Sequence, residues 1–404
     1  MSSCNYFFIL ITDYLFNKMS RNRFGRESMR FKAKFMEKEL RNAVTLSYTQ
    51  HTEDSSKTKA ILAEYGFVVV TNISSSEECK NTEALLYKDL CGLIDKPKIT
   101  DSRITRVVKE LENNEIHWPH ASIPGIPTKG FCASNAMPQG EFAWETRLNP
   151  RVKTVFADLH ETKEEEMCVG MDLPFFNPLS YAAKDTFFWG HADQDTRLEN
   201  GKTKSYQGIL YIWPSTKNNT SNTILVPKSH VEHYDKLLGA IPTTFGAGHG
   251  LYVDDVSDDK TWKELRQVWL DDARRVDVPA GSLLMFDSMM LHQGYPSGSR
   301  LAQTISWEPK SLRTTEALKR KLQAILMGIG TTHWASHGTH HGACKSFLRR
   351  KPKSQVYNDY NYPHKIVFPL KPLKPVPLIT KLNPYKASIK EMTEQIKPEY
   401  RDVL

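Results

Sequence analysis

Hydrophobic and polar positions alternate in short runs through the second half of the chain. From residue 185 onward, apolar stretches rich in β-branched and aromatic residues are separated by Gly, Pro and Asn. The clearest of them are DTFFWGHAD, YQGILYIWP, NTILVPKSH, RRVDVPAGSLLMFDS and LAQTISWEP. Short strands divided by turn residues are typical of an antiparallel sandwich or barrel and not of βαβ units. The pattern therefore predicts a mainly β fold with flanking helices.

Helical periodicity flanks this region. KAILAEYGFVVV predicts a short helix that stops at Gly66, followed by a strand from Phe67 to Asn72. RVKTVFADLHE, at 151–161, has apolar residues at helical spacing, and TTEALKRKLQAILMGIG predicts an amphipathic helix closed by Gly328. Residues 125–150, rich in Gly, Pro, Asn and Ser, are expected to form a long structured loop.

These patterns divide the chain into three parts. Residues 1–55 form a basic, flexible N-terminal segment, and 56–312 form the main domain. Residues 313–404 hold a helix, a His-rich loop and a basic Pro-rich tail. The tail contains 8 of the 22 prolines between 345 and 404, so we expect it to be partly extended, with a short helix near 387–396. The apolar run NYFFILITDYLF is too short to span a bilayer.

Charge is concentrated at the two ends of the chain. Residues 345–404 carry 13 Lys/Arg against 5 Asp/Glu, which equals the net charge of +8 for the whole chain. The first 42 residues are also basic, so the middle of the chain is slightly acidic. Basic ends can contact nucleic acid, anionic lipid or a protein partner, or can be solvated flexible segments.

The cysteines give a further indication. The six of them stand apart with no CxxC pair, so neither a disulfide framework nor a zinc ribbon is indicated. We expect a reducing intracellular compartment, the cytoplasm by default.

Two His-x-Asp pairs occur, and local structure distinguishes them. His233 and Asp235 lie where SHVEHYD predicts the start of a helix, and positions i and i+2 of a helix point in nearly opposite directions. His191 and Asp193 instead end an aromatic run with strand character, where i and i+2 share a face. A third ligand, His292, follows the strand GSLLMFD. Two imidazoles and one carboxylate can hold a metal and leave three coordination positions open.

Arg300 opens the next predicted strand, eight positions after His292. A guanidinium beside such a metal centre is a bidentate receptor for the distal carboxylate of a 2-oxo diacid. Each residue also has an ordinary alternative: a core imidazole, a turn aspartate, a loop histidine and a surface arginine. Their order and spacing together favour the metal site.

These stretches resemble the phytanoyl-CoA dioxygenase-like branch of the iron(II)/2-oxoglutarate-dependent oxygenases. The resemblance covers about residues 60–312 and is carried by EYGFVVVTNISSSEEC, WGHADQD, YQGILYIWP, TILVPKSH, VPAGSLLMFDSMMLHQG and the Arg300 strand. It implies a double-stranded β-helix, a jelly-roll or cupin-like core. The interval from His292 to Arg300 is slightly short for this family.

The resemblance also implies roles for individual residues. It makes His191, Asp193 and His292 the iron ligands and Arg300 the partner of 2-oxoglutarate. It places three further side chains near the co-substrate or the iron: Gln194, Gln207 and Trp189. The implied reaction uses O2 to hydroxylate an unactivated C–H bond of a small molecule, with release of succinate and CO2. Asp193 favours hydroxylation, because related halogenases carry a small residue at that position.

Other interpretations stay open at this point. The chain can be a non-catalytic jelly-roll module whose KPLKPVP segment docks a partner, or an oxygenase acting on nucleic acid, although its acidic middle argues against the latter. The stretch THWASHGTHHGACK can hold a second metal or be a solvated loop. Its candidate ligands are His333, His337, His340, His341 and Cys344. Candidate substrate contacts, with core packing as the alternative, are Trp144, Arg147, Tyr206, Tyr211, Trp213 and Trp307.

Overall fold

A computed structural model describes residues 29–115, 131–178, 186–198, 201–241, 250–254, 257–295, 298–341, 344 and 369–404. The apolar N-terminal run and residues 345–368 of the basic tail lie outside the described residues, so the expectations for them stay untested. Among the described residues, no helix combines the length and the apolar character needed to cross a membrane.

The strands of the described residues are short. They are β1 Arg30–Phe31, β2 Lys34–Phe35, β3 Thr45–Ser47, β4 Phe67–Thr71, β5 Met167–Val169, β6 Pro174–Asn177, β7 Thr186–Phe187, β8 His191–Ala192, β9 Tyr206–Tyr211, β10 Thr223–Leu225, β11 Leu251–Tyr252, β12 Arg274–Arg275, β13 Ser282–Asp287, β14 His292–Gly294, β15 Arg300–Ile305 and β16 Trp307–Pro309. Most of the strands after residue 185 lie in the apolar runs of the sequence, which confirms the predicted β region.

Two six-stranded sheets form the centre of the described structure. Sheet 1 has the order β3-β4-β13-β9-β15-β6, and sheet 2 has the order β11-β8-β14-β10-β12-β2. Most neighbours are antiparallel; β3 with β4 and β12 with β2 are parallel. From β6 to β15 the chain passes repeatedly between the two sheets, which places strands that are distant in sequence side by side.

Side-chain alternation along β4 shows how the layers pack. Phe67 and Val69 join a buried cluster that also contains Leu225 of sheet 2, so this face of sheet 1 covers sheet 2. Val68 and Val70 point the other way, into the larger core shared with the helices. A strand buried on both faces needs apolar residues at every position, which is why FVVV carries no polar alternation.

Helices cover the outer faces of both sheets. They are Lys38–Ala43, Tyr48–Glu53, Ser55–Tyr65, Ser76–Leu93, Ser102–Glu112, Glu141–Arg147, Pro150–Leu159, Ser229–Glu232, Tyr234–Ala240, Lys260–Asp272, Thr315–Met327, Ile389–Glu394 and Pro398–Arg401. Helices hold more of the described residues than strands do. The expectation of a mainly β protein is therefore wrong as to the share of helix. The centre is β as predicted, and the fold is a mixture of sheets and helices.

The predicted helix boundaries are largely confirmed. The helix Ser55–Tyr65 ends at Gly66, whose φ of 82° is left-handed, and β4 follows at once. The helix Thr315–Met327 ends in the same way at Gly328. The expected loop at 125–150 is wrong in part, because its described portion contains the helix Glu141–Arg147. That short helix is set by a distant contact, since Asp89 accepts hydrogen bonds from its first two backbone N–H groups.

Both ends of the described chain pack against the centre. Residues 29–53, expected to be flexible, contain three strands that join the sheets or pair with β7. In the tail, Leu378, Met392 and Ile396 lie in the large core, and the helix Ile389–Glu394 matches the one expected near 387–396. The tail also bonds through its backbone, from Lys371 N–H to the Leu93 carbonyl.

Candidate metal centre

His191, Asp193 and His292 come together on sheet 2. His191 begins β8 and His292 begins β14, and the two residues are register partners, so their rings lie side by side at 4.3 Å between centroids. Their neighbours Ala192 and Leu291 pack outward under the helix Lys260–Asp272. Because side chains alternate along a strand, the two imidazoles face the space between the sheets.

The donor atoms form a compact set. His191 Nε2 is 3.4 Å from Asp193 Oδ1, and His292 Nε2 is 3.2 Å from Asp193 Oδ2. One ligand atom from each of the three residues lies within 4.8 Å of the others. Cis ligands of an octahedral ion with bonds of about 2.1 Å are about 3 Å apart. The set therefore fits one divalent ion of facial two-histidine, one-carboxylate type.

The outward nitrogens of both imidazoles are held by the backbone. His191 Nδ1 lies 3.2 Å from the Trp189 carbonyl, and His292 Nδ1 lies 3.0 Å from the Met290 carbonyl. A carbonyl only accepts, so each Nδ1 carries the proton and each Nε2 presents its lone pair to Asp193 and the ion position. In both cases the carbonyl lies two residues before the histidine on the strand.

Further contacts fix the ligands in place. Trp189 and Tyr252 both stack on His191 at 5.0 Å between ring centroids. Gln207, on the inner face of β9, donates to Asp193 Oδ2 at 2.9 Å. The structure thus brings Trp189 and Gln207, both expected near the site, into contact with ligands.

The protonation states suit metal binding. Burial, together with the charge of His292, lowers the pKa of His191 to about 4, so its imidazole is neutral near pH 7. Burial alone would oppose the ionisation of Asp193, but the neighbouring His191, His333 and His292 hold its pKa well below the usual value. A neutral imidazole and an ionised carboxylate are the forms that bind a metal.

Arg300 lies in the same space between the sheets. Leu301 packs into the large core outside the two sheets, and Ala302 packs into the cluster between them. Because side chains alternate along a strand, Arg300 faces the same side as Ala302, between the sheets. The guanidinium lies 4.4 Å from the Phe175 ring and 4.7 Å from the Tyr211 ring, measured from Cζ to the ring centroids. Its Nε is buried without a hydrogen-bond partner, and no carboxylate pairs with it among the described residues. Burial lowers its pKa.

Strand β9 connects the two parts of the site. Gln207 and Tyr211 are four positions apart on the inner face of β9; the first contacts Asp193 and the second contacts Arg300. Their Cα atoms are therefore about 13 Å apart.

Other candidate residues lie elsewhere. Gln194 donates to the carbonyls of Gly201 and Thr203, so its amide holds a loop rather than any of the three ligands. The expected substrate contacts Trp144 and Trp307 are fully buried in the large core, which favours their packing role.

The second histidine cluster is dispersed. His337 bonds Ser336, His340 bonds the Arg320 carbonyl, and Cys344 accepts from the Gly330 N–H. Among the described residues, only the triad meets the distances of a metal group. The expectation of a second metal at this stretch therefore gains no support.

His333 is the residue that the sequence interpretation misplaced. Its Nδ1 lies 3.9 Å from Asp193 Oδ2, beside the triad and not in a separate zinc site. Its Nε2 is buried without a hydrogen-bond partner in the described structure. In the sequence, only its position in a His-rich stretch singled out His333, because its contact with Asp193 joins residues 140 positions apart.

Neither a protein-family model nor a curated protein matches the chain. Among solved structures, GlcNAc Inducible Gene 2 (DUF1479) from Candida albicans is similar over 72% of this chain and 73% of its own, at 11% identity and a TM-score of 0.45. HygX from Streptomyces hygroscopicus, solved with nickel and 2-oxoglutarate, is similar over 62% of this chain and 85% of its own, at 13% identity and a TM-score of 0.37. EctD from S. alaskensis is similar over 71% of this chain and 86% of its own, at 13% identity and a TM-score of 0.37. At these TM-scores the likenesses carry no weight for the function.

Proposed function

We propose that the protein is an iron(II)- and 2-oxoglutarate-dependent dioxygenase that hydroxylates an unactivated C–H bond of a small molecule. The observation that carries this proposal is the pairing of two features in one buried space. A facial set of two imidazoles and one carboxylate lies on the inner face of sheet 2, and a buried guanidinium with no carboxylate partner among the described residues lies on the inner face of sheet 1. The first feature fits a metal with open positions, and the second fits a carboxylate.

The order of the strands supports a double-stranded β-helix. Strands β6, β15, β9 and β13 are neighbours in sheet 1, and β8, β14, β10 and β12 are neighbours in sheet 2. We take these eight strands as the two facing sheets of a jelly roll, and the buried cluster to which both sheets contribute supports this assignment. Assignment to the phytanoyl-CoA dioxygenase-like branch rests on the sequence resemblance, as does the small-molecule class of the substrate. The main domain is best taken as 56–312, with the packed flanking segments contributing to its core.

The chain's own residues would bind the iron, hold the co-substrate and shield the ligands. His191, Asp193 and His292 would hold Fe(II) through two Nε2 atoms and a carboxylate oxygen, and Arg300 would hold the distal carboxylate of 2-oxoglutarate. Bound iron with O2 supplies the oxidising chemistry that converts 2-oxoglutarate to succinate and CO2 and hydroxylates the substrate. Trp189 and Tyr252 stack on the His191 imidazole and would shield it from water.

A reducing intracellular compartment stays a prediction from the isolated cysteines. None of the five cysteines that the structure describes forms a disulfide. Docking of a partner by the Pro-rich tail also stays a prediction. Within the described residues, KPLKPVP bonds the chain's own centre, from the Leu373 N–H to the Asn135 carbonyl and from the Val376 N–H to the Gln139 carbonyl.

The test is succinate formation. Purified protein is incubated with Fe(II), ascorbate, O2 and 2-oxoglutarate, first alone and then with pools of candidate substrates, and succinate is quantified. We expect slow succinate release without substrate and faster release with it, both abolished in Asp193→Ala. Absence of succinate in every pool, from a protein that is folded and binds no Fe(II), would instead favour the non-catalytic binding module.

A further inference from the structure

His333 reaches the metal centre from a segment that follows the sheets. The segment Thr331–Ser336 is fixed to the strand region by buried hydrogen bonds. Thr331 N–H donates to the Met171 carbonyl at 2.8 Å, and Met171 N–H donates to Thr331 Oγ1 at 3.0 Å. At the other end, Glu308 Oε2 accepts from the backbone N–H and the hydroxyl of Ser336. His333 is therefore held on both sides.

The backbone at His333 is also packed closely. Ser306 Oγ donates to the His333 carbonyl. A Cβ placed on Gly170 would lie 2.3 Å from Ser306 Oγ and 3.2 Å from the His333 carbonyl oxygen. Only glycine at position 170 leaves room for this approach, so the fold makes space for His333 at the site.

The ring of His333 lies next to the triad without belonging to it. Its Nδ1 is 3.9 Å from Asp193 Oδ2, whereas the mutually close donor set contains only His191, Asp193 and His292. A fourth protein ligand would also occupy one of the open positions that the reaction needs. The geometry therefore favours a place beside the coordination sphere.

The second ring nitrogen of His333, Nε2, can form a hydrogen bond with a donor or an acceptor. Nε2 is buried with no partner in the described structure. Leaving such a polar atom unpaired costs about 1–3 kcal/mol, so a bound group that pairs with it would be favoured. The same imidazole lies beside Asp193 through Nδ1, at 3.9 Å from Asp193 Oδ2, so this ring borders the metal centre.

Resting on the proposed function, we propose that His333 is a positioning residue that hydrogen-bonds the metal-chelating carboxylate of the 2-oxo acid co-substrate. Arg300 would then hold the distal carboxylate, and the segment Thr331–Ser336 would hold the proximal one. A 2-oxo diacid would thus be recognised at both ends, once from β15 and once from the region that follows the sheets.

The test compares His333→Ala and His333→Gln with His337→Gln. His337 is a matched control four positions further along the chain, directly after the segment, and its ring bonds the Ser336 hydroxyl instead of lying beside Asp193. Fe(II) affinity is measured without co-substrate, and the dissociation constant for 2-oxoglutarate is measured anaerobically from the visible band of its iron chelate. Circular dichroism confirms folding of each variant.

We expect His333→Ala to bind Fe(II) within about threefold of wild type and 2-oxoglutarate about 10- to 100-fold more weakly, the loss typical of a hydrogen bond to a charged group. His333→Gln, which keeps a donor, should fall between, and His337→Gln should match wild type. Unchanged 2-oxoglutarate binding in both His333 variants would overturn the proposal. Loss of Fe(II) binding as large as in His292→Ala would also overturn it, by making His333 a ligand. Absence of a band in wild type would contradict the proposed function itself.

Discussion

Gln207→Leu removes one contact of the metal centre and little else. Gln207 lies on the inner face of β9, almost fully buried, and its amide donates to Asp193 Oδ2 at 2.9 Å. Leucine has nearly the same volume and suits a buried strand, so the fold should tolerate the change. The substitution leaves the three ligands in place and takes away the group that orients the carboxylate.

The expected magnitude follows from two effects. Loss of the amide makes the carboxylate more basic, which favours metal binding, but also frees it to rotate, which disfavours it. Contacts of this kind to metal ligands typically contribute 10- to 100-fold in affinity, so the loss of orientation dominates. We therefore expect Gln207→Leu to weaken Fe(II) or Mn(II) binding by about 10- to 100-fold, which corresponds to about 1.4–2.7 kcal/mol.

Isothermal titration under anaerobic conditions measures this change directly. Gln267→Leu is the matched control, because Gln267 bonds Asp271 on the exposed face of the helix Lys260–Asp272 and its loss should leave metal binding unchanged. Metal affinity of Gln207→Leu within twofold of wild type would refute the reasoning, since Asp193 would then be oriented by other contacts.

Three further predictions address the rest of the structure. Arg300→Gln should raise the dissociation constant for 2-oxoglutarate by at least about 30-fold while leaving Fe(II) affinity unchanged, because it removes a buried charge partner; unchanged 2-oxoglutarate binding would contradict this. Gly66→Ala should lower the free energy of unfolding, measured in urea, by at least about 1 kcal/mol. The φ of Gly66 is 82°, and the new Cβ would lie 2.0 Å from Met290 Sδ. Equal stability of the variant would count against the left-handed helix end at Gly66. Burial raises the pKa of Asp89 from 3.8 to about 7, so the folded state holds this proton while the unfolded state releases it, and stability should fall as pH rises between these values. Asp89→Asn should flatten that fall in urea titrations at several pH values, and an unaltered slope would contradict the assignment.

The triad was predictable because its signals are local. Strand character before His191 and before His292 sets the direction of each imidazole, and the i, i+2 rule places Asp193 on the same face. Gly66 was readable for a similar reason, since a glycine after an apolar helix commonly ends it. In each case a few neighbouring residues carry the information.

The features that were missed depend on contacts across the chain. His333 lies beside Asp193 because Thr331 and Ser336 bond Met171 and Glu308, which are distant in sequence. Strands of two residues, such as Arg30–Phe31 and Lys34–Phe35, are too short to show a period of two. The share of helix was underestimated because the functional stretches lie on strands, whereas the long helix Ser76–Leu93 carries no residue of the site.

Anaerobic titration of the metal-free protein with Fe(II) and then 2-oxoglutarate, followed by visible absorption, probes the iron site directly. We expect a weak charge-transfer band in wild type, saturating at one equivalent of iron, and no band in His292→Ala. A folded wild-type protein that gives no band, or a His292→Ala variant that gives the same band as wild type, would contradict the assignment of His191, Asp193 and His292 as the iron site.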